Sequence, residues 1–297
     1  MFDFQNYWKA RQKIVNEALD EYLPSDSSGP RILIDAMRYT LFAGGKRLRP
    51  LLAIIGYELS GGKNLRDELL PIACGIEMIH TFSLIHDDLP AMDNDDFRRG
   101  KPTNHKVFGE AIAILAGDAL FGHAFYTMVR STIPPDRMVR VIREITDAIG
   151  LDGMLGGQVA DVTGENKEPS VEIVRYIHSR KTGKFIRASL KAGGIAAGAP
   201  QHILDVFHSV GDKIGLTFQI VDDILDEIGD KSKLGKSVGK DRESGKQTYV
   251  RVFGLEKAKE EASRLASEAI SEVEDTFGET AGAPLISLIK FIVERNY

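Results

Sequence analysis

Apolar positions recur every three to four residues along nearly the whole chain, the period of a helix buried on one face. The pattern predicts helices over roughly 3–22, 31–43, 50–60, 66–88, 107–130, 135–152, 170–179, 182–197, 201–228, 255–275 and 282–294. Between them stand Pro24 to Pro30, Ile133-Pro134-Pro135, Gly164 to Ser170 and Ala199-Pro200, which supply the expected breaks. Alternating β-branched runs bounded by hairpin turns are missing, so a sheet is not expected. No linker, repeat or low-complexity tract divides the sequence, and residues 1–297 are expected to form one all-α domain.

Composition narrows the class. A chain of 297 residues, 43% hydrophobic and 27% charged, buries a sizeable core. The formal net charge of −5 argues against a nucleic-acid partner. The single cysteine, Cys74, excludes an intrachain disulfide and suits a reducing compartment. The opening Met1-Phe2-Asp3-Phe4-Gln5 lacks the order of a signal peptide, and no run approaching about 18 apolar residues is evident. A cytoplasmic protein without a membrane span is expected.

Two aspartate clusters change the picture. The first is Asp87-Asp88-Leu89-Pro90-Ala91-Met92-Asp93, at the end of an apolar helix that Pro90 should stop. An unbroken helix would set Asp87 and Asp93 about 120° apart, but a turn at the proline lets Asp93 bend back towards Asp87. The second is Phe218-Gln219-Ile220-Val221-Asp222-Asp223-Ile224-Leu225-Asp226. With Phe218 at 0°, Asp222, Asp226, Gln219 and Asp223 fall at about 40°, 80°, 100° and 140°, opposite the apolar residues. Three acids on one face also suit an ordinary amphipathic helix. Paired with the first cluster, they point instead to clustered hard oxygens neutralised by Mg²⁺, which takes few carboxylates plus waters and phosphate oxygens.

Basic segments with small residues supply the other half of such a site. Gly44-Gly45-Lys46-Arg47-Leu48-Arg49-Pro50 reads as a loop presenting cations to an anion. Arg98-Arg99-Gly100 follows the first cluster. Ser179-Arg180-Lys181-Thr182-Gly183-Lys184 precedes an apolar helix that Thr182 would cap, turning its N-terminus towards an anion. The lysine-rich stretch 230–246 reads as a polar loop, either simply solvated or closing over a phosphate site. Asp118 reads as a buried, hydrogen-bonded structural residue, and His80, His86 and His105 taken alone read as core histidines.

Taken together, these motifs resemble those of the trans-prenyl diphosphate synthases. Leu115-Ala116-Gly117-Asp118, Gly156-Gly157-Gln158 and Lys181-Thr182-Gly183 fall in the same order, and the resemblance runs over roughly 30–297. It implies an all-α isoprenoid synthase fold with helices around a deep central cavity, and a homodimer. It also implies head-to-tail 1'-4 condensation of isopentenyl diphosphate with an allylic diphosphate. Asp87, Asp93 and Asp222 would ligate three Mg²⁺, supported by Asp88, Asp223 and Asp226. Arg98, Lys181, Lys236 and Lys246 would hold the allylic diphosphate, and Lys46, Arg49, His80 and Arg99 the isopentenyl diphosphate. Thr182, Gln219 and the Lys181 carbonyl would face the allylic cation, and Arg295-Asn296-Tyr297 would help close the site.

The resemblance extends to product length. The longer Asp87–Asp93 spacing, with Phe82 five places before Asp87 and Ser83 after it, implies the bacterial farnesyl type and a C15 product. The alternative is the C20 geranylgeranyl type. A class I terpene cyclase and a non-catalytic synthase subunit fit less well, because both aspartate motifs are complete.

Overall fold

Helix α4 is apolar on almost every side, and the fold is built around it. The structure, a computed structural model, describes residues 2–24, 29–164, 168, 170–228 and 246–294. Lys236, most of the 230–246 stretch and Arg295-Asn296-Tyr297 lie outside the described residues.

The helices are α1 (Phe4–Tyr22), α2 (Arg31–Leu41), α3 (Leu48–Leu59), α4 (Leu70–Asp87), α5 (Asn104–Phe108) and α6 (Glu110–Met128). They continue with α7 (Pro135–Ile149), α8 (Met154–Gly164), α9 (Val171–Ile177), α10 (Lys184–Ala197), α11 (Gln201–Ile228), α12 (Tyr249–Phe253) and α13 (Leu255–Val293). Helix α4 packs on α6, α3 and α1; α10 bridges α3 and α11; α13 lies along α11. A second, smaller core joins Val174, Ile220, Ile224, Tyr249, Ala258 and Ala262, and it seats the C-terminal half of α11. Both aspartate clusters therefore stand at helix C-termini backed by apolar cores.

Most predicted helices are found, with several differences. Helix α8 was not among the expected helices, and it contains the Gly156-Gly157 pair. Non-helical backbone at Gly278 divides α13 into two helices, in keeping with the break expected between 275 and 282. Phe97–Arg98 and Lys101–Pro102 form β1 and β2, a two-residue antiparallel pair in the loop after the first cluster. Thr182 does not cap a helix. Residues 171–197 are helical throughout, with a π turn at His178–Gly183, so the expected free N-terminus does not exist there.

Two further expectations are corrected. Asp118 is exposed, its carboxylate 3.8 Å from His86 Nε2. Helix α6 turns Gly117 inward against His86, and a helix so rich in apolar residues does not announce which face is buried. Leu65–Asp87, Glu110–Met128 and Leu255–Val293 are, by length and composition, long and apolar enough to cross a membrane. Scattered charges hid this from a search for unbroken apolar runs. In the fold, 78% of the most apolar 18-residue window of the first stretch is buried in protein.

Candidate active site

Helix α4 ends at Asp87, and the chain folds back over its end. The Asp93 N–H donates to the Asp87 carbonyl at 2.8 Å, Asn94 N–H to Leu89 O at 3.1 Å, and Asp95 N–H to Asp88 O at 3.2 Å. The loop thus returns Asp93 to Asp87, as Pro90 predicts. Asp222, Asp223 and Asp226 lie in the last two turns of α11. A helix C-terminus carries partial negative charge, so carboxylates there are unfavourable until a cation arrives. Burial, with Asp93 and Asp88 adding to it and Lys181 opposing, pushes the Asp87 carboxyl up to about 6. Burial also acts on Asp93, but Lys246 and Lys181 outweigh it and hold that carboxyl below its usual range.

These residues fit Mg²⁺. Among the described residues no three His, Cys, Asp or Glu side chains form a cage that would hold an ion unaided. Mg²⁺ asks for less: one or two carboxylates, waters and the oxygens of a diphosphate. Asp87, Asp93 and Asp222 supply that sparse set of hard oxygens.

The supporting aspartates have other partners. Arg98 Nε donates to both Asp88 oxygens, at 2.7 and 2.9 Å, so Arg98 is engaged by Asp88 rather than standing open. Asp223 is buried and accepts the Tyr249 N–H at 2.6 Å. Asp226 is buried on the same face of α11. Lys246, the last residue of the lysine-rich stretch, donates to Asp93 of the first cluster at 3.1 Å. A cavity of about 150 Å³ lies beneath, lined by Lys181, Gln219, Asp222, Lys246 and Asp161 among others.

Lys181 is anchored by a residue the sequence reading missed. Its ammonium donates to Asp161 on α8 at 2.6 Å. A Cβ on Gly157 would meet the Lys181 backbone nitrogen at 2.3 Å, so glycine is required for α8 to approach the π turn. The Gly-Gly-Gln run was a signal for this contact, but Asp161 became readable only once α8 was known to be a helix.

A second cluster of side chains is cationic. Gly44 and Gly45, with φ of +102° and +134°, turn the chain into α3, whose N-terminus has no side-chain cap. Arg99 donates to the Gly44 carbonyl, and Arg49 stands over the Phe185 ring at 5.2 Å. Burial lowers Arg49 to about 10, helped by Arg99 and opposed by Glu77 and Asp222. Burial, with Arg49, Arg99 and Arg98 nearby, drives His80 well below its ordinary value, so it is neutral at pH 7. Arg49, His80 and Arg99 therefore crowd one another, and an anion would relieve them. The Lys46 ammonium lies 5.5 Å from the Phe291 ring centroid.

The model of the polyprenyl synthetase family matches residues 30–281. The chain belongs to that family. It is 43% identical over 298 residues to a geranylgeranyl diphosphate synthase of Cyanophora paradoxa, covering 99% of this chain and 97% of the relative. Its fold superposes on geranylgeranyl pyrophosphate synthetase from Pyrococcus horikoshii with a TM-score of 0.87 and 34% identity, covering 99% and 98% of the two chains. It also superposes on a Helicobacter pylori geranyltransferase complexed with magnesium and isoprenyl diphosphate, with a TM-score of 0.86 and 32% identity, covering 98% and 99%. The all-α isoprenoid synthase fold of the polyprenyl synthetases is therefore the fold of this chain.

The structure also describes Phe82 and Ser83, the residues expected to bear on product length. Phe82 is 8% exposed, and its ring leans on Phe121 of α6, with centroids 4.9 Å apart. Ser83 lies one turn before Asp87 and donates its hydroxyl to the His80 carbonyl at 2.9 Å.

Proposed function

We propose that this polyprenyl synthetase joins isopentenyl diphosphate to allylic diphosphates in 1'-4 condensations, with Mg²⁺, and releases the C20 geranylgeranyl product. The observation that carries the condensation is the pairing of two unlike clusters. One brings together two carboxylate-bearing helix ends with Lys181 and Lys246; the other is the cationic cluster of Arg49, His80 and Arg99. The first suits a metal-bridged allylic diphosphate, the second an isopentenyl diphosphate.

Bound Mg²⁺ supplies charge neutralisation that makes diphosphate a competent leaving group. Asp87, Asp93 and Asp222 would hold it, three ions being the expected number. Lys181 and Lys246 then face the oxygen that gains charge as the allylic C–O bond breaks. Thr182 donates its proton to Gln219 Oε1 at 2.9 Å, which leaves the hydroxyl lone pairs for the allylic cation. The isopentenyl double bond attacks that cation to form the new C–C bond. The proton lost next goes to the departed diphosphate. Arg49, His80 and Arg99 fix the attacking partner in reach, which makes the encounter effectively unimolecular.

Product length is read from Ser83. In a helix, the residue four before Asp87 lies beneath it, and serine leaves that space open. Phe82 is turned towards Phe121 instead of standing below the aspartate. Relatives named for geranylgeranyl diphosphate favour C20 over the C15 expected from Phe82. Incubating the protein with isopentenyl and dimethylallyl diphosphates should give geranylgeraniol after dephosphorylation, and nothing in EDTA. Ser83→Phe should shift the product to farnesol. No elongation with any allylic starter would defeat the reading, and farnesol from the unaltered protein would defeat the length assignment.

The protein is further proposed to be cytoplasmic and to work as a homodimer. Exposed Ile114, Leu115 and Tyr126 on α6, with Val139 on α7, support self-association. A single-copy mass by light scattering would exclude the dimer.

A further inference from the structure

The π turn His178–Gly183 grips α11 at two levels. At one end Thr182 donates to Gln219 Oε1 at 2.9 Å. At the other, His178 Nε2 lies 3.2 Å from Asp223 Oδ2. Gln219 and Asp223 are one helical turn apart, and Gln219 Nε2 donates to Asp223 Oδ1 at 3.2 Å, which closes the circuit. Tyr249 adds its backbone N–H to Asp223 Oδ2 at 2.6 Å. The imidazole edge thus lies against the Asp223 carboxylate, and a proton on Nε2 faces its lone pairs.

The His178 and Asp223 side chains are 2% and 4% exposed and stand, with Gln219, on the wall of the cavity of about 150 Å³. The imidazole stacks on Tyr249, with planes 21° apart and centroids at 6.3 Å. Its Nδ1 has no hydrogen-bond partner among the described residues, so Asp223 is its one polar contact there. Asp223 in turn accepts from Gln219 and Tyr249 and lies against His178, which makes it a hub between elements.

Resting on the prenyl-transfer reading above, we propose that His178 is a positioning residue. Through Asp223 it fixes the Gln219 amide with its oxygen on Thr182. Through the same carboxylate it pins the Tyr249 backbone, three residues beyond Lys246, beside the first aspartate cluster. Without the imidazole donor, the Asp223 carboxylate is free to turn, the Gln219 amide loses its anchor, and Tyr249 loosens.

The test compares His178→Phe, which keeps a ring against Tyr249, with His178→Gln, which keeps a donor at similar reach. Amide hydrogen exchange on the metal-free full chain is read at Tyr249, and kcat and KM are read with Mg²⁺. His178→Phe should speed Tyr249 exchange and lower kcat by about 10- to 100-fold, with the KM for isopentenyl diphosphate unchanged. His178→Gln should restore both protection and kcat. The proposal is overturned by wild-type protection and kcat in His178→Phe, or by a kcat loss without a change at Tyr249. It is equally overturned by a folded His178→Gln variant that resembles His178→Phe. If His178→Phe does not fold, His178→Asn, too short to reach, replaces it with the same expectations. The exchange arm needs no activity, so failure of the prenyl-transfer reading and failure of this one remain distinct.

Discussion

Asp87→Asn abolishes prenyl transfer while leaving the metal-free protein at least as stable as before. The loss in kcat is expected to be on the order of 10²–10³ or more, because Asp87 is proposed to help hold the Mg²⁺ that neutralises leaving-group charge. Stability moves the other way because the α4 terminus does not welcome this charge. Burial and the neighbouring Asp93 and Asp88 hold the Asp87 carboxyl up to about 6, against 3.8 for an ordinary aspartate. A folded pKa above the unfolded one means that folding binds a proton more tightly, so ionised Asp87 costs stability at pH 7. An amide removes that cost. In EDTA the variant should therefore melt higher than the parent at pH 7, and the gain should vanish once pH falls below 3.8. A variant that keeps its kcat would remove Asp87 from the metal set. One that melts lower at pH 7 would contradict the strained-carboxylate reading.

Glu77→Ala is expected to destabilise the fold by about 3–5 kcal/mol. Arg47 Nη1 donates to Glu77 Oε1 at 2.8 Å, and the two side chains are only 3% and 1% exposed. Arg47 also donates to the Leu41 carbonyl at 2.7 Å and to Asn16 Oδ1 at 2.9 Å, so it joins α1, the end of α2 and α4. Its backbone is left-handed, with φ of 53°, a conformation that needs such anchoring. Removing the carboxylate strands a buried guanidinium at the entry to α3. Since whole domains are stable by only about 5–15 kcal/mol, this is a large fraction. The expected fall in Tm is roughly 10 °C. Because Arg47 lies between Lys46 and Arg49, the KM for isopentenyl diphosphate should rise as well. Replacing both partners, Arg47→Met with Glu77→Leu, should recover most of the stability. A Glu77→Ala protein with unchanged Tm would show that the pair contributes nothing net.

Several parts of the site were legible because their signals are local. Pro90 implied the fold-back of Asp93, and the backbone hydrogen bond from Asp93 to Asp87 is that fold-back. The wheel placed Asp222, Asp223 and Asp226 on one face of α11, and an unbroken helix from Gln201 to Ile228 keeps them there. The glycine pair before Lys46 implied a special turn, and both residues have positive φ.

Other parts depend on which helix lies beside which. Nothing local tells that Asp161 meets Lys181, that Arg47 belongs to the core and not to the site, or that Arg98 is taken up by Asp88. The capping role expected of Thr182 failed for a related reason. Local residue preference suits a helix start there, but packing against α11 carries the helix straight through the position as a π turn.

The sequence by itself therefore determined the helices, the carboxylates that share a face and the family, since periodicity and spacing act over a few residues. Only the tertiary structure decided which charges are partnered and which are left strained, that α3 and α4 carry the cationic cluster, and that His178 stands on Asp223. Those facts follow from contacts between residues tens to hundreds of positions apart, and burial fixes their energies only once the helices have packed.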